Sequence, residues 1–150
     1  MIDVRETRDP TTLLRLLKDE SIRTSVGDDA SSDEFINERL ASAVLFDVMV
    51  DEAPVATVVF DAPAIEQLRE MHVLFPEGHR GAFALDASRK AMAKVLTRED
   101  TDSLVAQTFS DAPHTGWFAR QLGFRPLCNY PYPFTRRGKP VSVTVFEFTP

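Results

Sequence analysis

The chain is poor in the residues that mark several large functional classes. Its 150 residues include one cysteine, three histidines, one tryptophan and two tyrosines. A lone thiol, Cys128, forms no internal disulfide, so a disulfide-stapled extracellular scaffold is excluded. Nothing around Cys128 marks it as reactive, and it reads as a small buried hydrophobe. The histidines and the cysteine show no metal-ligand spacing, so no metal is expected. No apolar run approaches the ~18 residues of a membrane helix, and no membrane association is expected. The opening, Met1-Ile2-Asp3-Val4-Arg5-Glu6, has no basic-then-apolar signal region. A reducing, cytoplasmic setting follows as the expectation. Neither a Gly-Lys-Ser/Thr phosphate loop nor a G-x-G-x-x-G fingerprint is present. No internal repeat or low-complexity tract occurs.

What is present is an ordinary soluble-domain composition. Apolar residues make up 43% and charged residues 27%. That is enough for one core, and residues 1–150 read as a single domain. The charge is uneven. Residues 1–75 carry a net charge of −9 and residues 76–150 a net +3, giving the overall −6. An acidic chain is a poor general binder of nucleic acid, and none is expected as a partner. A basic half facing an anionic ligand and an acidic half facing a cationic one is one reading of this split. Plain solvated surface is the other.

Local patterns predict the order of elements. Ile2 to Glu6 alternates as a strand does. Asp9-Pro10-Thr11-Thr12 starts a helix carrying Leu13, Leu14 and Leu17 on one face. Residues 24–31 are loop-like. Ser31 and Glu34 have the spacing of a capping box before Phe35, Ile36 and Leu40, so two helices follow the first strand. Ala43 to Val50 and Val55 to Phe60 flank Asp51-Glu52-Ala53-Pro54 as a hairpin. Arg69 to Phe75 is the next strand. A long helix runs from about Ala82 to Leu96, with Phe83, Ala87, Ala91 and Val95 on one stripe. Ser103 to Phe109 is again a strand. A helix then runs from Asp111-Ala112-Pro113 to Gly123, which sits where a left-handed cap is expected. A short strand near Arg125 to Cys128, a Pro-rich segment at 129–140 and a last strand from Val141 to Phe148 complete the chain. The predicted fold is α/β (α+β): a mixed central sheet flanked by helices, parallel only around the long helix.

The stretch from Val73 to Ala84 is the most informative. A strand ends, a loop turns at Gly78 and Gly81, and a helix begins. The free N–H groups of a helix start and its dipole suit a phosphate or pyrophosphate, and Arg80 suits direct pairing with one. An ordinary strand-to-helix turn has the same local pattern.

Arg80-Gly81-Ala82-Phe83-Ala84 resembles the acetyl-CoA-binding segment of the GNAT (GCN5-related) N-acetyltransferases, whose pattern is Arg/Gln-x-x-Gly-x-Gly/Ala after a strand. Phe83 and Leu85 stand where smaller residues are usual. Trp117-Phe118-Ala119-Arg120-Gln121-Leu122-Gly123-Phe124 is similar to that family's Phe-Tyr-x-x-Leu-Gly-Phe helix end. The element order agrees over essentially the whole chain. Glu70-x-His72 followed by Pro-Glu-x-x-Arg-Gly resembles GNAT-like proteins of bacteriophages.

The resemblance implies a GNAT-like fold with splayed parallel strands, and acetyl-CoA as acyl donor. It implies direct acyl transfer from this CoA thioester to an amine acceptor. Leu74 and Phe75 would pair with the pantetheine arm through their backbone. The N–H groups of Arg80, Gly81, Ala82, Phe83 and Ala84 would receive the pyrophosphate. Phe118 would lie against the CoA arm or in the core. The usual acid is a Tyr at the position held here by Ala119. Tyr132, in the Pro-rich segment that would border the acceptor pocket, is the substitute candidate, or else a structural aromatic in a Pro-rich loop. Glu70 is the candidate base, directly or through water, with His72 as its relay partner on the same strand face. A solvated strand-start residue and a core histidine are the plain alternatives. Two functional readings therefore stand: an N-acyltransferase, and a GNAT-fold binding or regulatory protein that has lost efficient catalysis. A phage interaction protein is a third class, with no motif behind it. The acidic N-terminal half points to a cationic acceptor. Oligomeric state has no sequence signal.

Overall fold

The computed structural model describes residues 2–61 and 65–150. The first strand, β1 (Ile2–Thr7), leads into α1 (Thr11–Leu16), α2 (Glu20–Arg23) and α3 (Asp33–Ala41). A hairpin of β2 (Val44–Val50) and β3 (Ala53–Asp61) follows, then β4 (Leu68–Leu74), α4 (Ala82–Val95) and β5 (Ser103–Phe109). The chain ends with α5 (Pro113–Gln121), β6 (Arg125–Arg136) and β7 (Lys139–Phe148). The seven strands form one sheet in the order β1-β2-β3-β4-β5-β7-β6. Among the described residues β4 and β5 are the one parallel pair, joined by α4; every other ladder is antiparallel.

The sheet is buried on both faces, and the side-chain period of two sorts residues between them. Phe46, Val58 and Phe60 face a core shared with Ala87, Ala91 and Val95 of α4 and with Ala119 and Leu122 of α5. Leu45, Val59 and Leu74 face a second core built with Leu13, Ile22, Ile36 and Leu40. None of the described helices is long and apolar enough to cross a membrane.

Three local expectations are corrected. Three helices, not two, follow β1, because Asp19 accepts from the N–H of Ser21 and starts an extra turn. The cap of α3 is Ser32, whose hydroxyl accepts from Phe35 N–H at 3.1 Å. Ser31 instead donates its hydroxyl to Asp28, which removes it from the expected capping box. The Pro-rich segment is no loop: β6 is a twelve-residue strand containing Pro126, Pro131 and Pro133. It is the outermost strand, so its outward N–H positions need no ladder partner and proline is tolerated there. Its register with β7 shifts between Tyr130 and Phe134, and Tyr132 sits there with φ 54°.

Candidate functional site

The site begins where a ladder stops. β4 and β5 are paired only from Leu68–Ser103 to Glu70–Val105. Beyond that point β4 continues to pair with β3, through His72–Val59 to Leu74–Thr57, while its other edge is free of β5. A cavity of about 510 Å³ fills the divergence. Met71, His72 and Phe75 line one side, Ala106 to Phe109 the other, and α4 and α5 close the ends.

The start of α4 opens on this cavity. Gly81 is its N-terminal boundary residue, with φ 72° and ψ −134°, and no side chain among the described residues caps the helix. The first-turn N–H groups therefore keep their partial positive charge for an outside acceptor. Arg80 Nε donates to the Phe75 carbonyl at 3.0 Å, which fixes the loop to the end of β4. The Phe83 ring turns away. It packs edge-on against Phe75 and His79, with centroids 6.2 and 5.2 Å apart, and does not line the cavity.

Gly81 holds a backbone conformation that an L side chain adopts only with strain. An added Cβ would meet nothing within 4 Å, so torsion alone sets the cost. Gly81→Ala is expected to lower stability by about 1–3 kcal/mol, read as a reduced urea midpoint at unchanged m-value.

A smaller cavity of about 240 Å³ adjoins the first, and His72, Gln107 and Phe109 line both. Its inner end is a charged knot. Arg39 of α3 reaches both Asp61 at the end of β3 and Glu70 on β4, the latter at 3.1 Å. His72 Nε2 lies 3.4 Å from the same Glu70 oxygen. That is ion-pair reach without hydrogen-bond alignment, so this buried nitrogen has no hydrogen-bond partner among the described residues. Burial pushes the Glu70 carboxyl upward, but His72 and Arg39 together outweigh it and hold it below the ordinary value. Glu70 is thus kept as a carboxylate and is a weak proton acceptor. Asp61, Glu70 and His72 bring three ligand-type atoms within 4.8 Å, and the cation seated at the two carboxylates is the Arg39 guanidinium.

The roof is stitched by a second arginine. Arg136 of β6 is buried, donates to Asp111 at 2.6 Å and to the Thr24 carbonyl, and lies over the Phe109 ring at 4.1 Å. Burial pulls its pKa below the ordinary arginine value, with Asp111 opposing. Asp29 adds a clip: its carboxylate accepts from the N–H groups of Arg137 and Gly138 at 2.8 and 2.9 Å. These two N–H groups hold the Asp29 carboxyl below its ordinary value.

Of the residues singled out from sequence, Glu70 and His72 come together, and Phe75, Arg80, Gly81, Ala84 and Phe118 line the larger cavity with His72. Leu74 is fully buried in the core on the α1–α3 side and lines neither cavity. Ala82 and Phe83 stand in the first turn of α4 with side chains outside both linings. Tyr132 is 67% exposed on the outer strand and lines neither cavity, so the expectation that it borders the pocket is corrected. Ala119 is buried and does line the larger one, so no side-chain acid stands at that position. Arg39, Asp61 and Arg136 escaped the sequence reading. The available signal was a charge closing the apolar run Val55–Phe60; for the two arginines there was none.

No protein-family model matches the chain, and no curated protein sequence matches it significantly. Solved structures do. The spermidine N-acetyltransferase of Vibrio cholerae, in complex with CoA and spermine, has a TM-score of 0.79 at 14% identity, over 99% of this chain and 95% of that one. The smu.2055 protein of Streptococcus mutans has a TM-score of 0.75 at 13% identity, over 98% of both chains. A Desulfovibrio desulfuricans protein assigned to the GNAT family of acetyltransferases has 0.73 at 12% identity, over 99% of both. At such identities the shared property is the fold: the chain has the GNAT N-acyltransferase fold, with its diverging parallel pair.

Proposed function

We propose that this single domain is an acyl-CoA-dependent N-acyltransferase that uses acetyl-CoA and a cationic amine acceptor. The observation that carries this reading is the end of β4–β5 pairing at Glu70–Val105, with the uncapped start of α4 facing the gap. An extended pantetheine arm fits the free edge of β4 beyond Glu70, where Leu74 and Phe75 offer backbone groups. A pyrophosphate fits the N–H groups from Gly81 to Ala84, with Arg80 beside it. The V. cholerae neighbour, which holds CoA and spermine, supports both choices.

The amine enters through the smaller cavity. His72 stands at the junction of the two cavities and takes the proton from the acceptor nitrogen. The amine lone pair then attacks the thioester carbonyl, the C–S bond breaks, and the second proton of the attacking nitrogen passes to the departing thiolate, which leaves as CoA thiol. A thiol of ordinary pKa, about 8.5, is an adequate leaving group near neutral pH, so Ala119 does not forbid turnover. Glu70 orients His72 and stays ionised beside the imidazolium formed. The sequence reading had the same pair with Glu70 as base; the Arg39 contact supports the reversed roles. The −9 half of the chain supports a cationic acceptor, as does the smaller cavity, whose charged lining is Asp28, Glu70 and the single cation Arg39.

Calorimetry with CoA, followed by a panel of amines assayed with acetyl-CoA at low and high salt, tests the proposal. CoA binds, polyamine-like cations react best, and salt raises their KM as screening over ~8–10 Å predicts. Absence of CoA binding at millimolar concentration overturns the reading. Best reaction with neutral or acidic amines overturns the acceptor class alone. Binding without transfer to any amine selects the second reading, a CoA-binding protein of the same fold, which Ala119 favours.

A further inference from the structure

We infer that Arg39 and Asp61 are positioning residues for His72: together with Glu70 they hold a net charge of −1 against its ring. The inference rests on the acyltransferase reading only for its kinetic consequence.

Asp61 and Glu70 are 6% and 7% exposed, and one guanidinium serves both. Buried charges are stable when paired, and two carboxylates with one cation leave one negative charge unmatched. The groups facing His72 leave few ways to match it. On β3 its ladder partner is Val59, which is apolar. On β5 the cavity residues shared with it, Gln107 and Phe109, are neutral. From the loop after α2 come neutral Ser25 and Asp28, whose carboxylate adds to the negative side. In the larger cavity Arg80 is tied to the Phe75 carbonyl, and Arg136 to Asp111 and Thr24. His114, Asp111 and Arg137 also line that cavity. The buried His72 Nε2, 3.4 Å from Glu70 and without a hydrogen-bond partner among the described residues, faces this unmatched charge. A proton lifted from an ammonium acceptor therefore enters a pocket one positive charge short. Because Arg39 belongs to α3, whose Ile36 and Leu40 wall the smaller cavity, the acceptor wall and the proton acceptor share one charge network.

The two side chains act with opposite sign, which separates this role from a merely structural one. The test is imidazole NMR titration of the whole protein without donor or acceptor; the three histidines are few enough to assign with His72→Gln. Arg39→Gln removes a positive charge and is expected to raise the His72 midpoint by about one pH unit. Asp61→Asn leaves Arg39 less compensated and is expected to lower it by about the same amount. The double variant restores the net −1 and returns to within about 0.3 units of the parent. Arg39→Lys keeps the charge and stays near the parent, so the Gln–Lys contrast decides the matter if Asp61→Asn does not fold. The acid limb of kcat/KM is expected to move in the same directions. Shifts of one sign in both single variants, or a fixed His72 midpoint, overturn the inference. If the protein transfers no acyl group the titration still reads out, so failure of the functional proposal and failure of this one are distinct.

Discussion

His72→Gln is expected to lower kcat for acetyl transfer by about 10²- to 10⁴-fold while CoA affinity stays within about twofold. The size follows from removing the proposed proton acceptor, a histidine at the junction of the two cavities whose Nε2 has no hydrogen-bond partner among the described residues. Gln keeps an amide of similar reach but accepts no proton near neutral pH. CoA affinity is expected to be spared because the proposed cofactor-side contacts, the start of α4 and the edge of β4 beyond Glu70, use backbone groups and not the His72 side chain. Glu70→Gln is expected to fall less in kcat, since His72 survives, but to lose the acid-side support for its imidazolium. Steady-state kinetics with calorimetry on the same samples checks both. Equal activity of His72→Gln and parent would show that the acceptor arrives as a neutral amine and needs no protein base.

Phe60→Ala is expected to cost about 3–5 kcal/mol, the largest stability effect among the sites discussed. Phe60 is fully buried in the middle of the sheet, with its ring edge-on to Phe46 at 5.7 Å. β3 is paired on both sides there, to Val44 and to Met71, so the backbone is held against collapse into the cavity. For a chain of this size the loss corresponds to a melting point lower by roughly 6–20 °C. Differential scanning calorimetry measures it. The void opens on the α4 face of β3, opposite the Asp61 side chain, so the Arg39 pairing and the activity per folded molecule are expected to change little. A cost under about 1 kcal/mol would mean that the sheet closes over the gap.

Local chemistry decided much of this protein in advance. The apolar, β-branched runs between Ala43 and Phe60, the four-residue stripe of α4 and the glycine after α5 are short-range signals, because strand propensity, side-chain period and backbone φ are properties of neighbouring residues. Ser103–Phe109 appears as the strand its sequence predicts. The strand–loop–helix passage from Val73 to Ala84, and the pairing of Glu70 with His72 two residues on, were legible for the same reason. Other features depend on which elements become neighbours. The prolines of β6 look like a loop until the strand is known to be outermost, where missing N–H donors cost nothing. Tyr132 was placed near the pocket by its Pro-rich surroundings, and sheet order moved it to the outside. Arg39, Asp61 and Glu70 lie on three elements, and only the register of β3 against β4, pairing Asp61 with Glu70, sets both carboxylates within reach of one guanidinium. Arg136 reads as one more surface cation until the β6–β7 turn folds over Phe109 and buries it. Sequence periodicity sets which elements form and which face is apolar; long-range register and burial set which charges meet, because charges interact through space and not along the chain.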